Sequence, residues 1–450
     1  MERLQNIELA AIWQFFWKQP WSFKFISLYL FFEYVRPQSI YEPLSGLPWP
    51  TWCLAGALGT CVLEGRTLKR FSSADLWLVL YLVVVLLSSR FAWNPSLAYP
   101  MLYFFFSWVA VYFLITRLVD TEAKYFFYIG LFLLFSLKMS QHATRSLIGR
   151  GFAFDGWGAS GAPGFFRNSG EMAIQMCIFL PLSYYFLRVV GPRLKTLTRQ
   201  WKYWIVLALP VTAVLSIIAS TSRGGQIGAA AVVLWMVLHS PKRVRMLTIG
   251  AVACVAGWLM LPAQQKARFT EMGDDDTSQA RLVMWEDALE VTRDHPVLGI
   301  GYENWVEYYR AHYPHRDNFQ VVHNIFLQAS TELGLIGLGV FVVMIFWTLR
   351  MNAVTRRRMR SVPDGRFFYF ISMGLDAGLI GFLVAGSFVT VLYYPYFWIN
   401  YALTAALYTL SKDKLDAARR AHRAVVLAGS TPPAPPGRPS HAAAIRPAPG

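Results

Sequence analysis

Long apolar runs separated by short polar or basic segments are the main pattern of this chain. A helix that crosses a bilayer needs about 17 to 25 mostly apolar residues. We predict twelve such spans, at about residues 20–35, 47–63, 74–89, 98–116, 123–139, 169–189, 202–220, 225–239, 244–261, 324–349, 367–390 and 393–411. The pattern therefore indicates an all-α polytopic membrane protein.

The segments between the runs divide the chain into five predicted parts. Residues 1–19 form a cytoplasmic, interfacial N-terminal helix, and residues 20–261 carry spans one to nine with an external loop at 140–168. A large helical loop at 262–322 follows on the external side, and residues 323–411 carry spans ten to twelve. Residues 412–450 form a basic tail that is rich in Pro and Ala, a composition typical of disorder.

Composition and charge support this interpretation. Hydrophobic residues make up 55% of the chain and charged residues only 15%, whereas soluble domains carry about 25% charged residues. The net charge is +16, but Lys and Arg concentrate in alternate loops and in the tail, as the positive-inside rule requires. We therefore expect both termini in the cytoplasm and no nucleic-acid partner. The four cysteines lie in apolar runs without a C-x-x-C pair, which argues against disulfides and zinc sites.

The loop at 262–322 predicts two helices. Ser278 is a suitable cap for the first, which ends before Pro296 and carries Arg281 and Trp285 on one face, four residues apart. The second helix begins near Trp305. The G-x-G between the two helices has no preceding strand and no third glycine, so it is not a dinucleotide fingerprint. Arg281 either binds a ligand or is a solvated residue of an amphipathic helix.

Several arginines fall on the predicted external face. Arg223 follows span seven among Ser, Thr and Gly residues, which allow a ligand to approach the backbone. Arg145, Arg150 and Arg167 lie in the loop at 140–168. Guanidinium groups match phosphate oxygens, so converging arginines would bind a lipid-linked phosphate or pyrophosphate. The alternative is that such arginines anchor helix ends at the interface.

His323 and Asn324 open span ten at its external end. The positive end of a helix dipole disfavours imidazolium, so we expect His323 to be neutral and able to accept a proton. Gly334 follows eleven residues later, which returns to within roughly 20° of His323 on a continuous helix. Small residues on that stripe would let a neighbouring helix pack beneath the histidine. A structural histidine at the interface is the alternative.

Two clusters could suggest a metal site. His312, His315 and His323 fit no established ligand spacing. The run Asp274-Asp275-Asp276 is more typical of a solvated acidic turn before a helix. We predict no metal and no cofactor.

Four segments resemble the O-antigen ligase family, which belongs to a superfamily with O-antigen polymerases and protein O-oligosaccharyltransferases. They are Gly164 to Ala173 (GFFRNSGEMA), Ser220 to Gly225 (STSRGG), Gln279 to Trp305 (R-x3-W, then HPVLGIGYENW) and His323 to Gly337 (HNIFLQASTELGLIG). The spacing of ten residues between His323 and Gly334 is the most specific feature. Together the segments cover about residues 140–350.

The resemblance implies a glycosyltransferase-C-like membrane enzyme that is inverting and metal-independent. Such ligases move a polysaccharide from undecaprenyl pyrophosphate to lipid A–core on the periplasmic face of the bacterial inner membrane. Carried over by position, Arg223 and Arg281 would hold the pyrophosphate and His323 would be the base. The substrate-binding residues that we expect beside them are Arg145, Arg150, Arg167, Asn168, Trp285 and Asn324. Many relatives have an asparagine-rich segment where this chain has Arg167 to Glu171. This departure leaves the roles of Arg167 and Glu171 open, and with them the acceptor.

Three acceptors and one other class of protein stay as alternatives. A ligase uses lipid A–core, a polymerase uses another lipid-linked glycan, and a protein O-oligosaccharyltransferase uses a Ser or Thr side chain. A lipid-linked sugar transporter would need polar residues along a path through the spans. Here the ionisable residues within spans are few, with Glu332 and Asp376 the clearest, and the polar groups gather at one face. This distribution favours an enzyme.

Overall fold

The computed structural model describes residues 1–65, 71–152, 158–195, 200–245, 276–316 and 320–429, together with residues 247, 248, 250, 259 and 266. These ranges contain helices and no strand. The helices are α1 Glu2–Gln5, α2 Leu9–Trp17, α3 Trp21–Tyr34, α4 Trp49–Leu63, α5 Ser73–Arg90, α6 Pro95–Leu118, α7 Glu122–Gly149, α8 Ser169–Leu194, α9 Gln200–Ala219, α10 Arg223–Leu238, α11 Asp276–Asp294, α12 Trp305–His312, α13 Ile325–Arg360, α14 Arg366–Gly386 and α15 Pro395–Gly429.

Seven of the described helices, α5 to α9 with α13 and α14, are long and apolar enough to cross a membrane. Helices α4 and α10 are apolar but shorter. The prediction of an all-α polytopic membrane protein is confirmed. Every predicted span except the ninth overlaps one of the helices. Most of the ninth, 244–261, lies outside the described residues, so the total of twelve stays a prediction.

Helices α8 and α14 form the centre of the bundle. They pack against each other; α8 also packs against α9 and α10, and α14 also packs against α10, α13 and α15. Both are largely buried, and small residues of α14 permit the close approach. A Cβ at Gly381, for example, would lie 3.0 Å from Cβ of Cys177 on α8. The close packing of α8 and α14 therefore fixes the positions of the helix ends in the bundle.

Helix α13 breaks at Gly334, which has φ 69° and ψ −174°. The loop between α11 and α12 docks into this break: Ile300 N donates to Thr331 O at 2.8 Å, and Leu335 N donates to Pro296 O at 2.8 Å. The expectation that Gly334 shares one continuous helical stripe with His323 is wrong. The stripe assumed regular helical rotation, whereas the chain leaves the helix at Gly334 to admit the loop.

Both predicted helices of the long loop are present, as α11 and α12. Four boundaries differ from the prediction. Helix α11 begins at Asp276, so Ser278 lies inside it and does not cap it. Helix α7 extends to Gly149, so Arg145 lies on a helix and not in a loop. The N-terminal segment forms two helices separated at Ile7, which has φ 51°. Helix α15 continues through Gly429, past the residue where the tail was predicted to begin; residues 430–450 lie outside the described part.

Candidate active site

The turn between α14 and α15, residues 387–394, joins the elements that carry the candidate residues. Thr390 Oγ1 accepts a hydrogen bond of 2.6 Å from the backbone N–H of His323. The Phe388 ring lies 6.5 Å from that of Trp285 on α11. A Cβ at Gly224, next to Arg223, would lie 2.9 Å from Cβ of Phe388. This turn, called the 387–394 turn below, thus contacts α10, α11 and the start of α13.

His323 lies just before α13, whose N-cap is Asn324. Its φ of 52° is in the left-handed region and turns the residue away from the helical path. The imidazole is half-buried, and its Nε2 lies 3.2 Å from Gln320 Oε1. With Gln320 Oε1 as the acceptor of this hydrogen bond, Nε2 carries the proton and Nδ1 has the lone pair. Nδ1 is buried and has no hydrogen-bond partner in the described ranges.

The pKa of His323 is lowered to about 4, first by burial and then by the positive charge of Arg281. The imidazole is therefore neutral at pH 7, which agrees with the sequence-based expectation. The cause of the neutral state differs from the expected one, which was the helix dipole. The histidine precedes the N-cap and does not lie in the first helical turn. Burial disfavours the charged form of the ring, and a nearby cation disfavours it further.

Arg281 and Trp285 lie on one face of α11, as predicted, and that face meets the segment before α13. The indole N–H of Trp285 donates to Val322 O at 3.0 Å. Arg281 is close enough to His323 for its charge to affect the imidazole. Around these residues α11, α12 and the chain near Val322 share a small hydrophobic core that includes Met284. This core fixes the position of α11 relative to His323.

Arg223 is the first residue of α10 and is half-buried. Ser222 caps the helix, because its Oγ accepts from Gly225 N at 3.2 Å. The glycines after Arg223 allow close packing: a Cβ at Gly225 would collide with Ala173 on α8. The helix start is therefore held between α8 and the 387–394 turn, with Arg223 at its end.

The loop before α8 borders the same region. Ala159 N donates to Ala219 O at 2.8 Å, which ties this loop to the segment that leads into Arg223. Asn168 caps α8 through its Oδ1, which accepts from Gly170 N at 2.9 Å, while Glu171 Oε2 accepts from Asn168 N at 2.9 Å. Glu171, whose role the sequence left open, thus completes a capping box.

The remaining predicted contact residues occupy different places. Arg145 and Arg150 have exposed side chains at the end of α7, and Arg167 is exposed beside Asn168. Asn324 uses its Oδ1 to cap α13, accepting from Phe326 N at 2.9 Å. Its predicted contact with substrate would therefore come from Nδ2.

Of the candidate metal-binding histidines, His323 lies in this site, whereas His312 makes contacts elsewhere. His312 stacks on Tyr308, with ring centroids 3.9 Å apart, and its Nδ1 contacts Tyr308 O at 2.9 Å. Asp274 and Asp275 lie outside the described residues. Within the described ranges no group of three or more His, Cys, Asp or Glu side chains is arranged for a metal ion.

Two contacts of His323 were not predicted from the sequence. Thr390 was assigned to the eleventh span, although α14 ends at Gly386. Gln320 precedes the histidine in a segment without a clear motif. The stretch Ser387 to Tyr394, which combines small, polar and aromatic residues between two apolar runs, is the only sequence signal for the turn.

A comparison with protein families matches residues 178–342 to the sequence model of O-antigen ligases. The match begins in α8, includes Arg223, Arg281 and His323, and ends in α13 beyond the break at Gly334. It confirms the resemblance noted from the sequence motifs. A search of curated proteins found no match.

Proposed function

We propose that this member of the O-antigen ligase family transfers a polysaccharide from undecaprenyl pyrophosphate to lipid A–core at the periplasmic face of the inner membrane. Members of the family are glycosyltransferase-like membrane enzymes that use lipid-linked glycans and an acceptor. The observation that carries the proposal is the arrangement at His323. A neutral imidazole, whose buried Nδ1 has no hydrogen-bond partner among the described residues, lies near the cationic Arg281. Arg223 begins a helix that packs against the 387–394 turn, which also contacts His323.

In the proposed reaction, His323 Nδ1 takes the proton from an acceptor hydroxyl. The hydroxyl oxygen forms a bond to the anomeric carbon of the donor sugar from the side opposite the pyrophosphate. The bond between that carbon and the phosphate oxygen breaks, and its electron pair goes to the pyrophosphate. Attack from the opposite side inverts the configuration. Arg223 and Arg281 stabilise the negative charge that develops on the leaving group.

The charge of Arg281 links donor binding to the strength of the base. A base with a pKa of about 4 accepts a proton poorly at pH 7. A pyrophosphate bound at Arg281 offsets the positive charge that lowers the pKa of His323. The donor therefore raises the pKa of the imidazole and makes it a better base when there is a sugar to transfer. In the free enzyme, the low pKa would keep the imidazole of His323 unprotonated until a donor binds.

Asp376, one of the two ionisable residues singled out within the spans, gives the transporter alternative no support. Asp376 on α14 accepts hydrogen bonds from Arg356 at 2.6 Å and from Asn352 at 2.7 Å, both on α13. These contacts join two helices and account for the buried charge by pairing. They are typical of a structural ion pair and not of a path for substrate.

Lipopolysaccharide from a deletion strain, separated on a gel, tests the proposed acceptor. Core without polymer is the expected result for a ligase. Core that carries a single repeat would identify a polymerase. Normal lipopolysaccharide would point to a protein acceptor, and would contradict the proposed use of lipid A–core.

A further inference from the structure

Arg36, in the turn that follows α3, lies against the loop that precedes α8. Its backbone adopts a left-handed conformation with φ 50°. The guanidinium occupies the space beside Gly164, where any Cβ would collide with Nη1 and Cζ. It also lies over the ring of Phe165, with Cζ 6.0 Å from the centroid. A glycine with φ 92° at position 164 thus makes room for the arginine.

Two donor nitrogens of this guanidinium, Nε and Nη1, are buried and have no hydrogen-bond partner among the residues that the structure describes. Glu33 Oε1 is 3.9 Å from Nη1, which is within the range of an ion pair but too far for a hydrogen bond. Buried donors of a charged group are costly when they lack partners. The arrangement is the one expected of a group that binds an anion from outside the protein.

The position of Arg36 connects it with the candidate active site. The Phe165 ring, which the guanidinium contacts, packs on Tyr394 of the 387–394 turn with centroids 4.9 Å apart. The same loop reaches the segment before Arg223 through the hydrogen bond from Ala159 to Ala219. Arg36 and Arg223 therefore border two parts of one loop, at the end of the bundle where His323 lies.

We propose that Arg36 binds a phosphate oxygen of the lipid-linked donor and positions the donor for transfer. This inference rests on the proposed function and adds a third arginine, from the N-terminal part of the chain, to those on α10 and α11. It lies outside the segment matched by the family comparison, 178–342. The competing explanation is that Arg36 only compensates the charge of the buried Glu33.

A double-variant series separates the two explanations. Purified protein in nanodiscs is titrated with undecaprenyl pyrophosphate and, as a phosphate-free probe, with undecaprenol, and binding is measured by native mass spectrometry. The variants are Arg36→Gln, Glu33→Gln and the double variant. Arg90→Gln is the control, because it removes an exposed arginine at the end of α5 that stacks only on Phe91 among the described contacts.

We expect Arg36→Gln and the double variant to bind undecaprenyl pyrophosphate roughly tenfold to a hundredfold more weakly, as for loss of a charged hydrogen bond. Binding of undecaprenol should not change, and Arg90→Gln should bind both lipids like the wild type. Wild-type affinity in Arg36→Gln, or recovery in the double variant, would overturn the inference. If Arg36→Gln fails to fold, Arg36→Lys keeps the charge but loses the planar fork, and it should also bind more weakly.

Binding and glycan transfer measured together distinguish failure of the proposed function from failure of the inference about Arg36. If the wild type binds undecaprenyl pyrophosphate through Arg36 but transfers no glycan, the proposed function falls and the inference about Arg36 stands. If transfer is normal and Arg36→Gln binds like the wild type, only the inference falls. Equal binding of undecaprenyl pyrophosphate and undecaprenol by the wild type would contradict both.

Discussion

Gly334 lies directly against the backbone of Val297, and the two positions join the break in α13 to the loop between α11 and α12. A Cβ at Gly334 would collide with the carbonyl of Val297. The reciprocal contact comes from Gly299, where a Cβ would collide with Thr331 O. The loop that follows α11 is thus fixed to the helix that follows His323. Since α11 carries Arg281, this contact fixes the position of Arg281 relative to His323.

Replacing Gly334 by Ala should damage both stability and transfer. Its φ and ψ are essentially restricted to glycine, so alanine adds about 1–3 kcal/mol of backbone strain besides the collision with Val297. Thermal unfolding in detergent and the transfer rate measure the two effects. Gly339→Ala is the matched control: the residue lies on the same helix, and nothing is within 4 Å of a Cβ there. It should gain about 0.5–1 kcal/mol of stability and keep activity. Equal behaviour of the two variants would contradict the account of the break.

The arginines are expected to act through the shape of the guanidinium as well as its charge. Arg223→Lys and Arg281→Lys keep the charge but lose the planar fork, so each should lower kcat/KM roughly tenfold to a hundredfold. Arg90→Lys, at an exposed arginine, should have no effect. Transfer kinetics with purified protein provide the measurement. Full activity in both Lys variants would identify these arginines as interfacial anchors.

The dependence of transfer on pH follows from the lowered pKa of His323. The neutral imidazole is the active form, so kcat/KM with limiting donor should be constant from pH 8 down to about 5 and fall as the pH approaches 4. The Arg281→Gln substitution removes one cause of the shift and should move the fall in rate to higher pH. A fall centred near pH 6.5 in the wild type would show an ordinary histidine and contradict the described environment.

Transfer should not require a divalent metal. The described residues provide no group of three metal-binding side chains, and arginines can supply the positive charge that a leaving pyrophosphate needs. Activity should persist in excess chelator. Loss of activity that Mg²⁺ or Mn²⁺ restores would contradict this prediction and direct attention to Asp274, Asp275 and Asp276.

The sequence predicts the helices better than it predicts how they meet. Apolar runs predict the spans because a bilayer requires uninterrupted hydrophobic helices. Pro296 predicts the end of α11, but the predicted cap Ser278 lies inside the helix, which begins at Asp276. The break at Gly334 is not predicted, since glycine also occurs within continuous membrane helices. Thr390 is missed for a related reason: the apolar run continues past Gly386, where the helix ends.

For the candidate site too, the sequence predicts the residues better than it predicts the contacts between their elements. Residue type and motif select Arg223, Arg281 and His323, because phosphate binding and proton transfer need these side chains. The contacts between the elements that carry these residues depend on the 387–394 turn and on the docking of one loop into a broken helix. Those contacts join residues far apart in the chain, and no local pattern encodes them. Arg36 has no motif at all, and only the packing of Gly164 on its guanidinium identifies it.

Replacement of His323 by Gln is the most direct test of the proposed mechanism. Gln can keep a hydrogen bond to the acceptor but cannot take up a proton. General-base catalysis contributes roughly 10²–10⁴-fold, so His323→Gln should lose about that factor in turnover. Binding of undecaprenyl pyrophosphate and thermal stability should stay close to those of the wild type. A His323→Gln variant that transfers glycan at the wild-type rate would contradict the assignment of His323 as the base.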